Sequence, residues 1–149
     1  KGAKNLIVKN GAMRFPKTSD QSMREDKEGT LFNDNYLYMN GTEIFNFSLE
    51  SVPALVKDTL ERNKLQQEDI DLFVFHQANK FMLEYLRKKI KISAEKFYIY
   101  MEHCGNTVSS TIPIALKHAL QEEKIKAGSK VLIVGFGVGY SWGGTVLQF

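Results

Sequence analysis

Two short runs of bulky apolar residues fix what this chain can fold into: Ile70-Asp71-Leu72-Phe73-Val74-Phe75 and Lys130-Val131-Leu132-Ile133-Val134. Neither alternates apolar with polar residues, and both are short. They therefore read as strands covered on both faces. Strands of that kind need helices above and below them, and the segments between supply the period. From Lys80 to Ile90 the residues Leu83, Leu86 and Ile90 fall inward, with Arg87 and Lys88 outward. A second helix is expected to open at Gly105-Asn106-Thr107 and to bury Ile114, Leu116, Ala119 and Leu120. Pro113 fits it only within the first turn, where a missing N–H costs nothing. Phe97 to Met101 reads as a further strand. A glycine-rich turn and the segment from Gly144 to Phe149 then predict an antiparallel return. The class is α/β.

The N-terminal part carries a weaker signal. Phe45, Leu49, Val52, Val56 and Leu60 recur at helical steps, with Thr42 as the expected N-cap and Pro53 expected to bend or divide the helix. Residues 1–41 read as a connecting segment and 42–149 as the domain proper. Within the former, Asn5 to Val8 predicts a short strand and Pro16 to Thr30 an exposed loop. Leu31 to Asn40, with Tyr36, Tyr38 and Met39, predicts an irregular connector. A length of 149 residues with 43% hydrophobic and 25% charged residues suits one soluble globular core. A net charge of +3 without a dense Lys/Arg run gives no case for nucleic acid. No run approaches the roughly 18 apolar residues of a membrane span, and nothing at Lys1 resembles a signal peptide. A single cysteine excludes an internal disulfide framework and suits a reducing, cytoplasmic setting. No metal site is expected, because one cysteine makes no cluster and no His-x-x-x-His pair lies on a helix.

Four groups of residues could carry chemistry. His76 closes a strand, and in an open α/β sheet that edge is where ligands bind; alternatively it is a structural histidine bonding a loop carbonyl. Asn79 follows three residues later. Asn106, between a glycine and a helix, is either an N-cap or a substrate-facing amide. Neutral imidazole and carboxamide N–H groups stabilise a developing oxyanion without surrendering a full proton. Gly135, Gly137 and Gly139 follow a strand, but a strand rather than a helix comes next, so they are no dinucleotide fingerprint. Lys80, Arg87, Lys88 and Lys89 form a basic helix face, either simply solvated or a dock for an acidic partner.

Taken in order, His76-Gln77-Ala78-Asn79, Gly105-Asn106-Thr107 and Phe136-Gly137-x-Gly139-x-x-Trp142-Gly143 resemble the C-terminal half of β-ketoacyl-acyl-carrier-protein synthase III, of the thiolase superfamily. The resemblance implies a thiolase-like half-domain: a mixed sheet with helices packed on it and a C-terminal antiparallel hairpin. It implies a decarboxylative Claisen condensation of an acyl-CoA-derived acyl group with malonyl-carrier protein, in fatty acid biosynthesis. His76 and Asn106 would be two members of a Cys-His-Asn triad. The cysteine belongs to an N-terminal half that this chain is expected to lack, and Cys104 does not stand at its place, so the chain alone is expected to be inactive.

The resemblance also assigns the remaining residues. Asn79 would hold a pantetheine arm or a water, Phe136 would pack near the reacting centre, and the backbone of Gly137, Val138 and Gly139 would form one arm of an oxyanion hole. Val138 stands where the family commonly has glycine, which keeps the N–H but restricts φ. Lys80, Arg87, Lys88 and Lys89 would dock acyl carrier protein, with Phe81 at a position often held by arginine. No cofactor is implied, since the substrates carry their own pantetheine. The implied partners are acyl carrier protein, the N-terminal half and a second copy in a homodimer, with no nucleic acid and no membrane. Two alternatives share these motifs: a specialised synthase of the same superfamily, making an ester, amide or polyketide precursor, and a non-catalytic carrier-binding subunit.

Overall fold

The computed structural model describes residues 2–137 and 140–149. Contacts divide the chain into two units, one of 2–47 with Gly137 and Tyr140, the other of 48–136 with 141–149.

The larger unit is built around the two apolar runs. Strand β5 (Leu72–Phe75) is buried at every residue and pairs in parallel with β6 (Phe97–Tyr98) on one side and β7 (Lys130–Gly137) on the other. Strand β8 (Ser141–Gln148) returns beside β7 as an antiparallel hairpin, giving the sheet order β6-β5-β7-β8. The expected strand at Phe97 to Met101 shortens to two residues, and β7 and β8 run further into the glycine segment than the sequence suggests. Alternation along β5 sends Leu72 and Val74 to one face, where they join Tyr98, Val131, Ile125 and the small residues Ala115 and Ala119 of helix α3 (Thr111–Gln121). Alanine on the helix lets it lie close to the sheet. Phe73 and Phe75 point to the opposite face, and Phe75 meets Phe97 edge to ring at 4.9 Å. Burial of each such ring contributes about 1.5–3 kcal/mol.

Helix α2 (Lys80–Ile90) has the predicted bounds. Asn79 caps its first turn, and Lys91 ends it in the left-handed region at φ 63°. Helix α3 begins later than expected. Gly105 to Ser110 form a turn and one stretch of 3-10 helix (Val108–Ser110) before the α-helix starts at Thr111, so Pro113 does fall in its first turn.

Helix α1 (Gly41–Arg62) runs unbroken through Pro53, so the proline does not divide it. The proline removes one donor from a helix of 22 residues whose apolar face is held by Val52, Val56 and Leu60, all buried. Its cap is Asn40, not Thr42: the Asn40 Oδ1 accepts from the Glu43 N–H at 2.9 Å.

The smaller unit departs most from the sequence reading. Strand β1 (Leu6–Val8) was expected, but it pairs antiparallel with β4 (Leu37–Met39), inside the supposed connector. Likewise β2 (Arg24–Glu25), within the supposed loop, pairs with β3 (Leu31–Phe32). Two buried asparagines hold these pieces. Asn33 donates to the carbonyls of Asp20 and Ser22, and Asn35 donates to those of Thr18 and Asp20. Tyr140 belongs here too, stacked on Phe47 at 4.2 Å, with its hydroxyl accepting from Asn5 at 2.6 Å.

Candidate active site

The backbone N–H of His76 donates to the Val134 carbonyl at 2.7 Å, one residue beyond the end of β5. That bond fixes the histidine at the strand's carboxyl edge. Its ring is half-buried, and Phe136 of β7 stands edge-on to it at 5.5 Å. Nδ1 lies 2.7 Å from the Thr111 Oγ1, at the first residue of α3. Nε2 is thus the nitrogen left for a ligand. Burial lowers the imidazole below its ordinary value of 6.5, so the ring is neutral at pH 7.

Asn106 sits on the turn that precedes α3. Gly105 before it has φ 60°, a conformation suited to glycine. The Asn106 Oδ1 accepts from the Val108 N–H at 2.9 Å, closing a local turn. With its oxygen tied inward, the amide presents its NH2 as donor, and the side chain is exposed. Val108 itself is held at φ 57°, costly for a β-branched residue. Its carbonyl lies 3.0 Å from the Thr111 Oγ1. His76 and Asn106 are therefore tied, through Thr111 and the Val108 peptide, to one strained turn. Beside them the Thr107 Oγ1 is buried and, with the Tyr98 hydroxyl, is one of two buried side-chain polar atoms without a hydrogen bond among the described residues.

The His76 ring and the Asn106 carboxamide are thus each held at one end, by Thr111 and by the Val108 N–H. Residues 60–149 match the family described as 3-oxoacyl-[acyl-carrier-protein (ACP)] synthase III C terminal. The chain belongs to this family. A β-ketoacyl-[acyl-carrier-protein] synthase III from Clostridium acetobutylicum is 40% identical over 137 residues, covering 92% of this chain and 42% of that protein. A solved 3-oxoacyl-(acyl-carrier-protein) synthase III superposes with a TM-score of 0.94 at 49% identity, over 99% of this chain and 44% of that one. The Thermus thermophilus synthase III gives 0.81 at 34% identity, over 99% and 42%. The chain thus spans about two fifths of the length of the relatives it matches, and the thiolase-like fold expected from the motifs is the fold present.

Other expected residues of this synthase III domain fall out unevenly. Phe136 lies against His76. Asn79 spends its Oδ1 on the Met82 N–H at 2.8 Å, so only its NH2 group remains to meet a ligand. Gly137, at φ 155°, belongs to the smaller unit, and Val138 and Gly139 lie outside the described residues. Lys80, Lys88 and Lys89 are exposed. Arg87 is not: its side chain is only 17% accessible, and its guanidinium donates to the Glu84 carboxylate and the Ile92 carbonyl. It buttresses the end of α2 rather than offering charge to a partner. His118 stacks flat on Tyr100 at 3.8 Å, and the Cys104 thiol points to the Tyr100 carbonyl at 3.9 Å. Among the described residues no group of three or more His, Cys, Asp or Glu could hold a metal ion, and no helix is long and apolar enough to cross a membrane.

Three residues of consequence had no assigned role in the sequence: Thr111, Val108 and Gln77. Gln77 is fully buried, and it donates to the Phe75 carbonyl at 2.7 Å and accepts from the Tyr100 N–H at 2.8 Å, tying the end of β5 to the chain beyond β6. A glutamine between a strand-ending histidine and a helix cap is the one signal that could have marked it.

Proposed function

We propose that this chain is the enolate-stabilising part of a β-ketoacyl-acyl-carrier-protein synthase III that condenses an acyl group, delivered from acyl-CoA, with malonyl-carrier protein in fatty acid biosynthesis. The observation that carries the reading is the paired commitment of the two donors. The Asn106 oxygen is occupied by Val108 and the His76 Nδ1 by Thr111, so the Asn106 NH2 and the His76 Nε2 are what the site has left to present.

The cysteine nucleophile comes from an N-terminal half and carries the acyl group as a thioester. Malonyl thioester then enters. The bond between its α-carbon and carboxylate breaks, carbon dioxide leaves, and the electron pair passes into the thioester as an enolate. His76 and Asn106 donate to the enolate oxygen as its charge grows. The enolate carbon attacks the acyl-cysteine carbonyl, and collapse of the tetrahedral adduct returns the thiolate and releases the β-ketoacyl product. The backbone around Val138 would hold the adduct's oxygen, and Asn79 would steady the pantetheine arm. Neither step calls for a cofactor beyond the pantetheine of the substrates. Exposed Lys80, Lys88 and Lys89 on α2 would speed encounter with an acidic carrier protein. The working form would be a cytoplasmic homodimer.

The test separates the half-reactions in the full-length synthase. Radiolabelled acetyl-CoA reports cysteine acylation, and malonyl-carrier protein reports decarboxylation and condensation. His76→Ala is expected to keep acylation and to lose about 100- to 1,000-fold in decarboxylation, the cost of one oxyanion donor. Decarboxylation at the wild-type rate in that variant would remove His76 from the chemistry and leave the carrier-binding alternative.

A further inference from the structure

The Thr111 hydroxyl has one proton and two acceptors within reach. Nδ1 of His76 lies at 2.7 Å and the Val108 carbonyl at 3.0 Å. The choice decides what the far side of the imidazole can do. If the hydroxyl donates to Val108, its oxygen can only accept from the ring, Nδ1 carries the proton, and the neutral Nε2 is a bare lone pair. If it donates to Nδ1, the ring proton sits on Nε2 and the histidine is a donor toward the pocket. These two states are mutually exclusive, because a threonine hydroxyl cannot donate twice.

The surroundings are not indifferent between them. The Val108 carbonyl already accepts from the Thr111 backbone N–H, in the 3-10 turn that precedes α3. Losing the hydroxyl's proton leaves that carbonyl satisfied. A deprotonated Nδ1, by contrast, faces a threonine that is 2% exposed, and the hydroxyl is the donor at hydrogen-bond distance from it. Either tautomer keeps the bond between Nδ1 and Oγ1, so the balance turns on the Val108 carbonyl, which has a donor without the hydroxyl. The contact to Nδ1 is also the shorter of the two.

We infer that Thr111 is a positioning residue that selects the tautomer of His76: its hydroxyl donates to Nδ1, so that Nε2 keeps the proton and faces the substrate as a donor. The inference rests on the proposed reaction, which needs a donor at that point, but it concerns a residue that never touches the substrate. Val108 makes the selection possible. Its left-handed conformation aims the peptide so that the N–H fixes Asn106 while the carbonyl is met by the Thr111 N–H. The backbone of one residue thus frees both donors of the site.

The experiment uses the full-length synthase labelled with 15N-histidine, read by long-range proton–nitrogen correlation, which distinguishes the protonated ring nitrogen from the bare one. Wild type is expected to show His76 protonated at Nε2. In Thr111→Val the preference should weaken, and kcat for malonyl decarboxylation should fall about 5- to 20-fold at unchanged KM, the scale of one hydrogen bond. Thr111→Ser should restore both. If Thr111→Val does not fold, Thr111→Ala takes its place. A wild-type ring protonated at Nδ1 overturns the inference, as does a variant lacking the hydroxyl with the wild-type tautomer and rate. Failure of the underlying reaction shows differently: His76→Ala would then decarboxylate normally, whatever Thr111 does.

Discussion

Asn106 illustrates how a single side chain divides its labour. Its oxygen serves the fold by accepting from the Val108 N–H at 2.9 Å, and its NH2 group is left for the proposed chemistry. The two halves can be separated by replacement. Asn106→Asp keeps an oxygen for Val108 and loses the donor, whereas Asn106→Ala loses both. The aspartate variant of the full-length synthase is expected to keep wild-type thermal stability and cysteine acylation, and to lose about 100- to 1,000-fold in decarboxylation. A carboxylate there would also repel the developing enolate, so the loss should sit at the upper end of that range. Stability that drops while decarboxylation holds would mean the residue matters only for the turn. His76 follows the same logic. Its lowered pKa keeps it neutral at pH 7, which suits a donor that must not release a full proton.

At the scale of elements, Gln77 should be among the most costly replacements outside the apolar core. It is fully buried, and it joins the Phe75 carbonyl to the Tyr100 N–H where the β5–β6 ladder has already ended. Gln77→Ala leaves both groups unmet in a dry place and opens a cavity. It is expected to lower unfolding free energy by about 2–4 kcal/mol, seen as a lower denaturant midpoint with unchanged slope. A shift under about 0.5 kcal/mol, typical of a surface site, would contradict that role. The elements that were legible in the sequence are those with dense or periodic apolar residues. β5 and β7 stand out as short continuous apolar runs covered on both faces, and α2 because burial of one face leaves a mark at every third to fourth residue. In the first forty residues only the run Leu6-Ile7-Val8 leaves one. Their order comes from Asn33 and Asn35 bonding carbonyls 11 to 17 positions away, and polar residues in such a segment look like a solvated loop. Pro53 does not divide α1, because tertiary burial of its face outweighs one missing donor. His76, Asn106 and Phe136 could be picked out by motif. Thr111 could not, because its meaning lies in a ring 35 positions away that only the fold brings near.

For the whole molecule the question is where the nucleophile comes from. The chain holds one cysteine, Cys104, and its sulfur is directed at the Tyr100 carbonyl at 3.9 Å, a weak contact on the loop ahead of Asn106. Nothing in the described surroundings of Cys104 pairs it with His76 as a base. Residues 60–149 carry the family's C-terminal domain, and the matched relatives are more than twice as long as this chain. Two donors without a thiolate can stabilise an enolate, yet they cannot hold an acyl group for it to attack. The purified 149-residue chain is therefore expected to form no β-ketoacyl product from acetyl-CoA and malonyl-carrier protein, by mass spectrometry of the carrier. In the full-length synthase, Cys104→Ser should leave both half-reactions at the wild-type rate. Product from the isolated chain, lost again on Cys104→Ser, would make Cys104 the nucleophile and return the whole reaction to this domain.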